Sequence, residues 1–236
     1  MLHNFTPTSS NANTNGDGAK PTCLVLSGDT LYGTATQGGT GGEGTVFAIN
    51  TNSLGFTALH SFAPVVSNGN GHNTNGDGTS PNAVLVSGNY LFGSASGGGL
   101  GSGTVFGIST NGTGFTTLFT FAPTALIFTN DFPAGTNFGG SQPESALVLA
   151  SNTLYGTASV GGASGSGTIF ALTLPSPSPL YIQPAGDTVI LSWTNALFSL
   201  QAAPAATGVF TNIPNSSSPY TNTATDSQMF FRLAAP

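Results

Sequence analysis

The residues best suited to holding a ligand lie in a polar run that occurs twice. Asn13-Thr14-Asn15-Gly16-Asp17-Gly18 returns 60 residues later as Asn73-Thr74-Asn75-Gly76-Asp77-Gly78. Oxygen-bearing side chains at alternate positions, followed by a glycine bend, match the first half of a Ca²⁺ loop. Asn13, Asn15, Asp17, Asn73, Asn75 and Asp77 therefore form a candidate weak calcium site. Each copy offers a single carboxylate and no bidentate Glu downstream. A third copy, Gly135-Thr136-Asn137-Phe138-Gly139-Gly140, lacks the Asp. Asn-Gly and Asp-Gly are also ordinary turn formers, so a plain turn is the preferred reading and no other cofactor is implied.

Catalytic chemistry needs an acid, base or nucleophile in a constellation. His3 and His60 occupy equivalent places in the repeat described below, where the next copy has Phe119. A site shared by His and Phe reads as packing or edge, not as a general base. His72 sits in a polar loop and reads as solvated. Asp29 aligns with Asn89 and Asn152 and reads as a turn residue, while Glu43, Asp131 and Glu144 stand alone. A glycosidase would need two carboxyls about 5–9 Å apart across one bond. There is no Gly-x-Ser-x-Gly elbow, P-loop or His-Glu-x-x-His motif. No enzymatic activity is expected, and a secreted hydrolase is the least favoured function.

Composition narrows the partners. Of 236 residues only 4% are charged, with Lys20 and Arg232 the two cations against eight acids. Typical domains carry about 25%. A surface this poor in cations does not neutralise phosphates, which argues against nucleic acid, and it has little to offer an anionic membrane. Cys23 is the single cysteine, so no internal disulfide forms. Within Cys23-Leu24-Val25-Leu26 it reads as a small buried hydrophobe. No run reaches the ~18 apolar residues of a membrane span. Met1-Leu2-His3-Asn4-Phe5 lacks the features of a signal peptide, so a processed or truncated form is expected.

The elements that would position these residues come from an internal repeat. Leu31-Tyr32-Gly33-Thr34-Ala35 recurs as Leu91-Phe92-Gly93-Ser94-Ala95 and Leu154-Tyr155-Gly156-Thr157-Ala158. Gly44-Thr45-Val46-Phe47 recurs as Gly103-Thr104-Val105-Phe106 and Gly167-Thr168-Ile169-Phe170. Each unit reads as four strands. The first is a continuous apolar run, such as Ala83-Val84-Leu85-Val86, that suggests burial on both faces. The second is the Leu-aromatic-Gly segment. The third is Thr-Val-Phe, and the fourth, Phe115-Thr116-Thr117-Leu118, follows a Thr110-Asn111-Gly112 turn. Four antiparallel strands with periodic Gly and aromatics describe a propeller blade.

The expected fold is therefore all-β: three four-stranded antiparallel propeller-like blades, at about 19–62, 79–121 and 141–172, within a repeat region 1–173. The third unit stops after its third strand, and the chain opens on a lone fourth strand, Leu2-His3-Asn4-Phe5, matching Leu59-His60-Ser61-Phe62. Residues 1–6 are expected to complete a blade, either in cis or in trans, with Leu2, His3, Asn4 and Phe5 as the strand-exchange interface. Pro175-Ser176-Pro177-Ser178-Pro179 reads as a stiff linker within 174–179. Residues 180–236 read as a small β-sandwich-like domain with Trp193 in its core and Arg232 snorkelling over a sheet edge.

The pattern Leu-Tyr-Gly-Thr…Gly-Gly…Gly-Thr-Val-Phe…Gly-Phe-Thr…Leu-His-Ser-Phe resembles the GloVer tandem repeat of bacterial "choice-of-anchor" surface proteins over about residues 1–172. The resemblance implies export and cell-surface attachment, and it carries no catalytic residue. The chain ends without a sorting motif or membrane tail, a departure from the family pattern. The expected function is a secreted or cell-surface structural repeat protein that forms a homo-oligomer or polymer by strand exchange. The alternative is an adhesin or carbohydrate-binding module, with glycans as partners. Neither nucleic acid nor membrane insertion is expected.

Overall fold

The computed structural model describes residues 1–236 except 68, 70–72, 124, 129–132, 175–178, 195–197, 215, 224–227 and 235–236, with backbone alone for 125–128 and 133–138. His72 and most of the Pro/Ser linker lie outside the described residues. The described chain is all-β. No helix among the described residues is long and apolar enough to cross a membrane.

The first unit is a meander of β1 (Ala19–Ser27), β2 (Thr30–Gln37), β3 (Thr45–Asn50) and β4 (Thr57–Ser61), hydrogen-bonded in that order. A small hairpin, β5 (Val66–Ser67) and β6 (Asn73–Thr74), leads to the second unit. That unit repeats the meander with β7 (Thr79–Ser87), β8 (Tyr90–Gly97), β9 (Thr104–Ser109) and β10 (Thr116–Thr120). Next come β11 (Ala125–Phe128) and β12 (Pro133–Ser141), which form a sheet with a later strand at Val160–Gly162. The third unit has β13 (Val148–Ala150), β14 (Thr153–Ala158), β15 (Val160–Gly162) and β16 (Thr168–Thr173), with β13, β14 and β16 forming a three-stranded sheet. The C-terminal segment holds β17 (Tyr181–Ala185), β18 (Thr188–Ser192), β19 (Ser199–Ala203), β20 (Thr211–Asn212), β21 (Tyr220–Thr223) and β22 (Phe230–Ala234). These form sheets β17-β18-β21 and β20-β19-β22.

Local chemistry explains the meander. Gly28-Asp29 and Gly88-Asn89 join the first two strands of each sheet with two residues, and both glycines sit at φ 56°. A positive φ at the first central position belongs to the II′ turn, whose twist suits a hairpin. In the third unit Ser151 takes that place at φ 54°, a position L residues visit reluctantly. The glycine of the Leu-aromatic-Gly motif has a different reason. The ring of the facing Phe lies across it: Phe47 on Gly33, Phe106 on Gly93 and Phe170 on Gly156, each so close that a Cβ would overlap the ring.

Side chains alternate between the faces of a strand, and this divides the second sheet cleanly. Leu91, Ala95, Phe106, Ile108 and Val84 meet Tyr32, Val46 and Ala48 of the first unit in one buried cluster. From the opposite face Phe92 and Val105 meet Leu147, Leu154 and Ala158 of the third unit in another. The second cluster continues into Leu191, Trp193, Phe198 and Leu200, so the C-terminal segment shares its core with the second and third units.

One sequence expectation changes at the ends. The apolar run of the first strand pointed to burial on both faces, yet Leu24 is 59% exposed while its counterparts Val84 and Leu147 are 4% and 5% exposed. Leu24 lies on the face of the first unit turned away from the second. Cys23 is half-buried and packs against the first cluster.

The ring-over-glycine contact yields a direct test. Gly93→Ala should destabilise the chain by about 1–3 kcal/mol through overpacking, read as a lower urea midpoint. Adding Phe106→Leu removes the ring tip and should return part of that loss. Strictly additive losses in the double variant would contradict this account.

Candidate functional site

The Asn-Thr-Asn-Gly-Asp-Gly runs lie at the junctions between units. Asn15 donates from Nδ2 to the Thr6 and Gly18 carbonyls at 2.8 and 2.7 Å, and its Oδ1 accepts from the Gly18 and Gly39 N–H groups. Asn75 repeats this with Ala63, Gly78 and Gly99. Asp17 accepts from the Thr6 N–H (2.9 Å), the Thr6 hydroxyl (2.6 Å) and His3 Nε2 (3.0 Å). The oxygens of Asn15 and Asp17 proposed for calcium thus already face protein donors. Asn13 turns its amide nitrogen to the Gly42 carbonyl, and Asn73 belongs to β6. No group of three or more His, Cys, Asp or Glu gathers at metal-binding distance among the described residues.

The loops act as latches. Each ties the end of one strand segment to the start of the next unit and to the glycine loop between its second and third strands. His60 binds Asp77 at 2.9 Å and stacks on Phe115 at 3.7 Å between ring centroids; His3 binds Asp17 and stacks on Phe56 at 3.8 Å. A carboxylate only accepts, so the imidazole N–H donates in both pairs. The His/Phe equivalence in the sequence signalled packing. The Asp partner 14 or 17 residues downstream had no signal beyond the repeat itself, because contact across a junction is not a spacing motif.

Leu2, His3, Asn4 and Phe5 lie outside the named strands. His3 and Phe5 pack on the first unit, with Phe5 meeting Phe47 edge-on at 5.3 Å. Phe62 meets Phe106 and Phe121 meets Phe170 in the same way, at 5.3 and 5.2 Å. The N-terminal segment thus bears to the first unit the relation that the end of β4 bears to the second. An apolar groove of about 140 Å³ opens there, between Leu2 and Phe5 on one side and Leu24, Leu31, Phe47 and Ile49 on the other.

A second cavity, about 310 Å³, lies between the second sheet and the C-terminal segment. Tyr90, Trp193 and Phe198 supply aromatic walls, and Asn89, Ser199 and Ser216 add polar groups. Burial raises the pKa of the Tyr90 hydroxyl above its ordinary value. No charged side chain lines the cavity among the described residues, so its chemistry suits an uncharged, polar guest. Trp193, expected in the core, is buried. Arg232 is exposed, lies over the Phe210 ring at 4.4 Å and donates to Gln201.

No protein-family model matches the chain, and no curated protein matches it. Solved structures give distant likenesses. A nidogen/laminin complex chain is 12% identical at TM-score 0.38, over 75% of this chain and 58% of that one. This chain thus spans little more than half of it. The designed Ika4 protein is 16% identical at TM-score 0.35, over 78% and 93%. An α-L-arabinofuranosidase from Clostridium thermocellum is 12% identical at TM-score 0.32, over 86% and 68%. Likenesses this distant assign neither family nor activity.

The two latches differ at one residue. Ala63 replaces Thr6, and Asp77 Oδ1 is left buried without a hydrogen-bond partner. Ala63→Thr should therefore stabilise the chain by about 1 kcal/mol, and Thr6→Ala should cost about 1–3 kcal/mol, both measured by urea unfolding. At Asp17 burial raises the carboxyl pKa, but the Thr6 and His3 hydrogen bonds outweigh it and hold the pKa below its ordinary value. A depressed folded-state pKa contributes stability above the ordinary carboxylate value and loses it as the pH falls through the depressed one. The destabilisation by Asp17→Asn should be full near pH ~6 and fade below the carboxylate range. A chelator should leave the melting temperature unchanged.

Proposed function

We propose that this chain is a non-enzymatic structural repeat protein of the cell exterior that associates with copies of itself. In this reading its sheets are blades of a propeller-like stack, and the C-terminal segment is a small β-sandwich-like module. The observation that carries the reading is the state of the two ends. The second sheet is covered on both faces, whereas the first and third each leave part of an apolar face exposed. Leu24 and Leu26 mark one end, and Val148, Tyr155 and Ile169 mark the other. Uncovered apolar faces of this kind mark interaction sites. The scarcity of charge supports it, since little on this surface repels a second copy. The resemblance of the repeat to GloVer surface proteins supports the location outside the cell.

The aromatic, uncharged cavity beside Trp193 favours a second reading, a glycan-binding surface module. The two separate by experiment. Analytical ultracentrifugation of the wild-type chain should show mass rising with concentration, and electron microscopy should show ordered polymers. Reproducible glycan-array hits by a chain that stays monomeric would favour the second reading instead.

A further inference from the structure

The two uncovered faces are the two halves of an interface that the chain already builds twice. At the first junction Pro81 packs on Gly44, Ser80 donates its N–H to the Glu43 carbonyl (2.9 Å), and the Thr34 hydroxyl donates to the Asn82 carbonyl (3.1 Å). At the second, Pro143 packs on Gly103, Gln142 donates its N–H to the Ser102 carbonyl (2.9 Å), and the Ser94 hydroxyl donates to the Ser145 carbonyl (3.1 Å). Each junction thus joins a leading face, which carries the proline, to a trailing face, which carries the glycine and the hydroxyl.

The unused halves are present at the ends. The first unit has a leading face with Lys20, Pro21 and Leu24 at the places of Ser80, Pro81 and Val84. Lys20, Ser80 and Gln142 share the same unusual backbone, at φ 55°, 52° and 56°. The third unit has a trailing face with Gly167, Ser166 and Thr157 at the places of Gly44, Glu43 and Thr34. Gly44, Gly103 and Gly167 likewise share φ 110°, 98° and 99°. Ile169 is 83% exposed, while its counterparts Val46 and Val105 are fully buried beneath the next unit.

The strand edges agree. β4 and β10 pair with β3 and β9, but among the described residues β16 pairs with β14 alone and its other edge has no strand partner. Residues 2–5, which match the end of β4, sit instead on the leading face of the first unit. We propose that the trailing face of the third unit docks on the leading face of the first unit of a second copy. That copy's Leu2–Phe5 segment adds to the free edge of β16. The proposal rests on the self-association reading above and names its surfaces. Pro21 of one copy packs on Gly167 of the other, and the Tyr155–Ile169 face closes over the groove at Leu24 and Phe47. The contact joins unlike surfaces, so it propagates head to tail.

Both ends present exposed residues, so a charge placed there blocks docking without disturbing the core. Leu24→Asp blocks the leading face and Ile169→Asp the trailing face. With mass read by light scattering, each variant alone should stay a monomer at concentrations where the wild type associates. Their equimolar mixture should form dimers and nothing larger, because each dimer ends in two blocked faces. Variants that associate as the wild type does would overturn this docking and leave self-association standing through another surface. A mixture that stays monomeric would also overturn it. A wild-type chain that is monomeric at every concentration would overturn both the docking and the reading beneath it.

Discussion

Three phenylalanines in equivalent strands, Phe47, Phe106 and Phe170, bring their ring tips against a glycine of the neighbouring strand and make a T-shaped contact with a second Phe from the preceding segment. Much of the architecture depends on this pair of contacts. The ring needs the missing Cβ, so the glycine recurs in every unit. The second ring, Phe5, Phe62 or Phe121, arrives from outside the sheet, so the contact joins units as well as strands. Edge-to-face aromatic pairs add stability beyond their buried area. Here they also set where the preceding segment must stop, and the His–Asp and Asn latches stand beside that point.

The same geometry explains how a chain with so few charges holds its junctions in register. Apolar burial is non-directional and would tolerate sheets sliding over one another. The directional part comes from backbone and side-chain hydrogen bonds: Asn15 and Asn75 each bridge three segments, and Thr45 and Thr104 reach the carbonyls of Asp17 and Asp77. Neutral amides and hydroxyls serve well because a buried polar group costs little once each donor and acceptor is matched. Where the matching fails at the second latch, at Asp77 Oδ1, the cause is a single missing hydroxyl at Ala63.

Much of this was legible in the residues. The recurring Leu-aromatic-Gly and Thr-Val-Phe segments mark strands β2, β3, β8, β9, β14 and β16, because strand pattern and repeat length reinforce each other. The structure is all-β, although the described sheets do not close into a ring. What the repeat did not contain could not be read. The β11-β12-β15 sheet falls where the third copy of the polar run, Gly135–Gly140, departs from the other two, so the repeat gave no sign of strands there. Trp193 stood out as a core residue, but the core it joins also holds Phe92 and Leu154 from distant parts of the chain. Strand periodicity says which face is apolar and nothing about what covers it. The polar runs were ambiguous for a related reason: alternating oxygens suit a cation or a set of N–H donors equally, and the sequence does not show that Thr6, His3 and Gly39 bring donors to them.

The order of strands along the chain gives the ends their meaning. The end of β4 packs on the sheet that follows it, as Leu2–Phe5 packs on the first, so both latches are made between a segment and the next sheet. The chain keeps Leu2–Phe5 beside the first unit, where His3, Thr6 and Phe5 all find partners, while β16 pairs on one edge, with β14, among the described residues. An open edge in most proteins carries lysines, prolines or a bulge that discourages pairing. β16 reads Thr-Ile-Phe-Ala-Leu-Thr and has none of these. The edge and apolar face at β16 and the Leu2–Phe5 segment on the first unit match in kind the parts that meet at each internal junction. That match is the physical basis for proposing assembly in preference to a finished monomer.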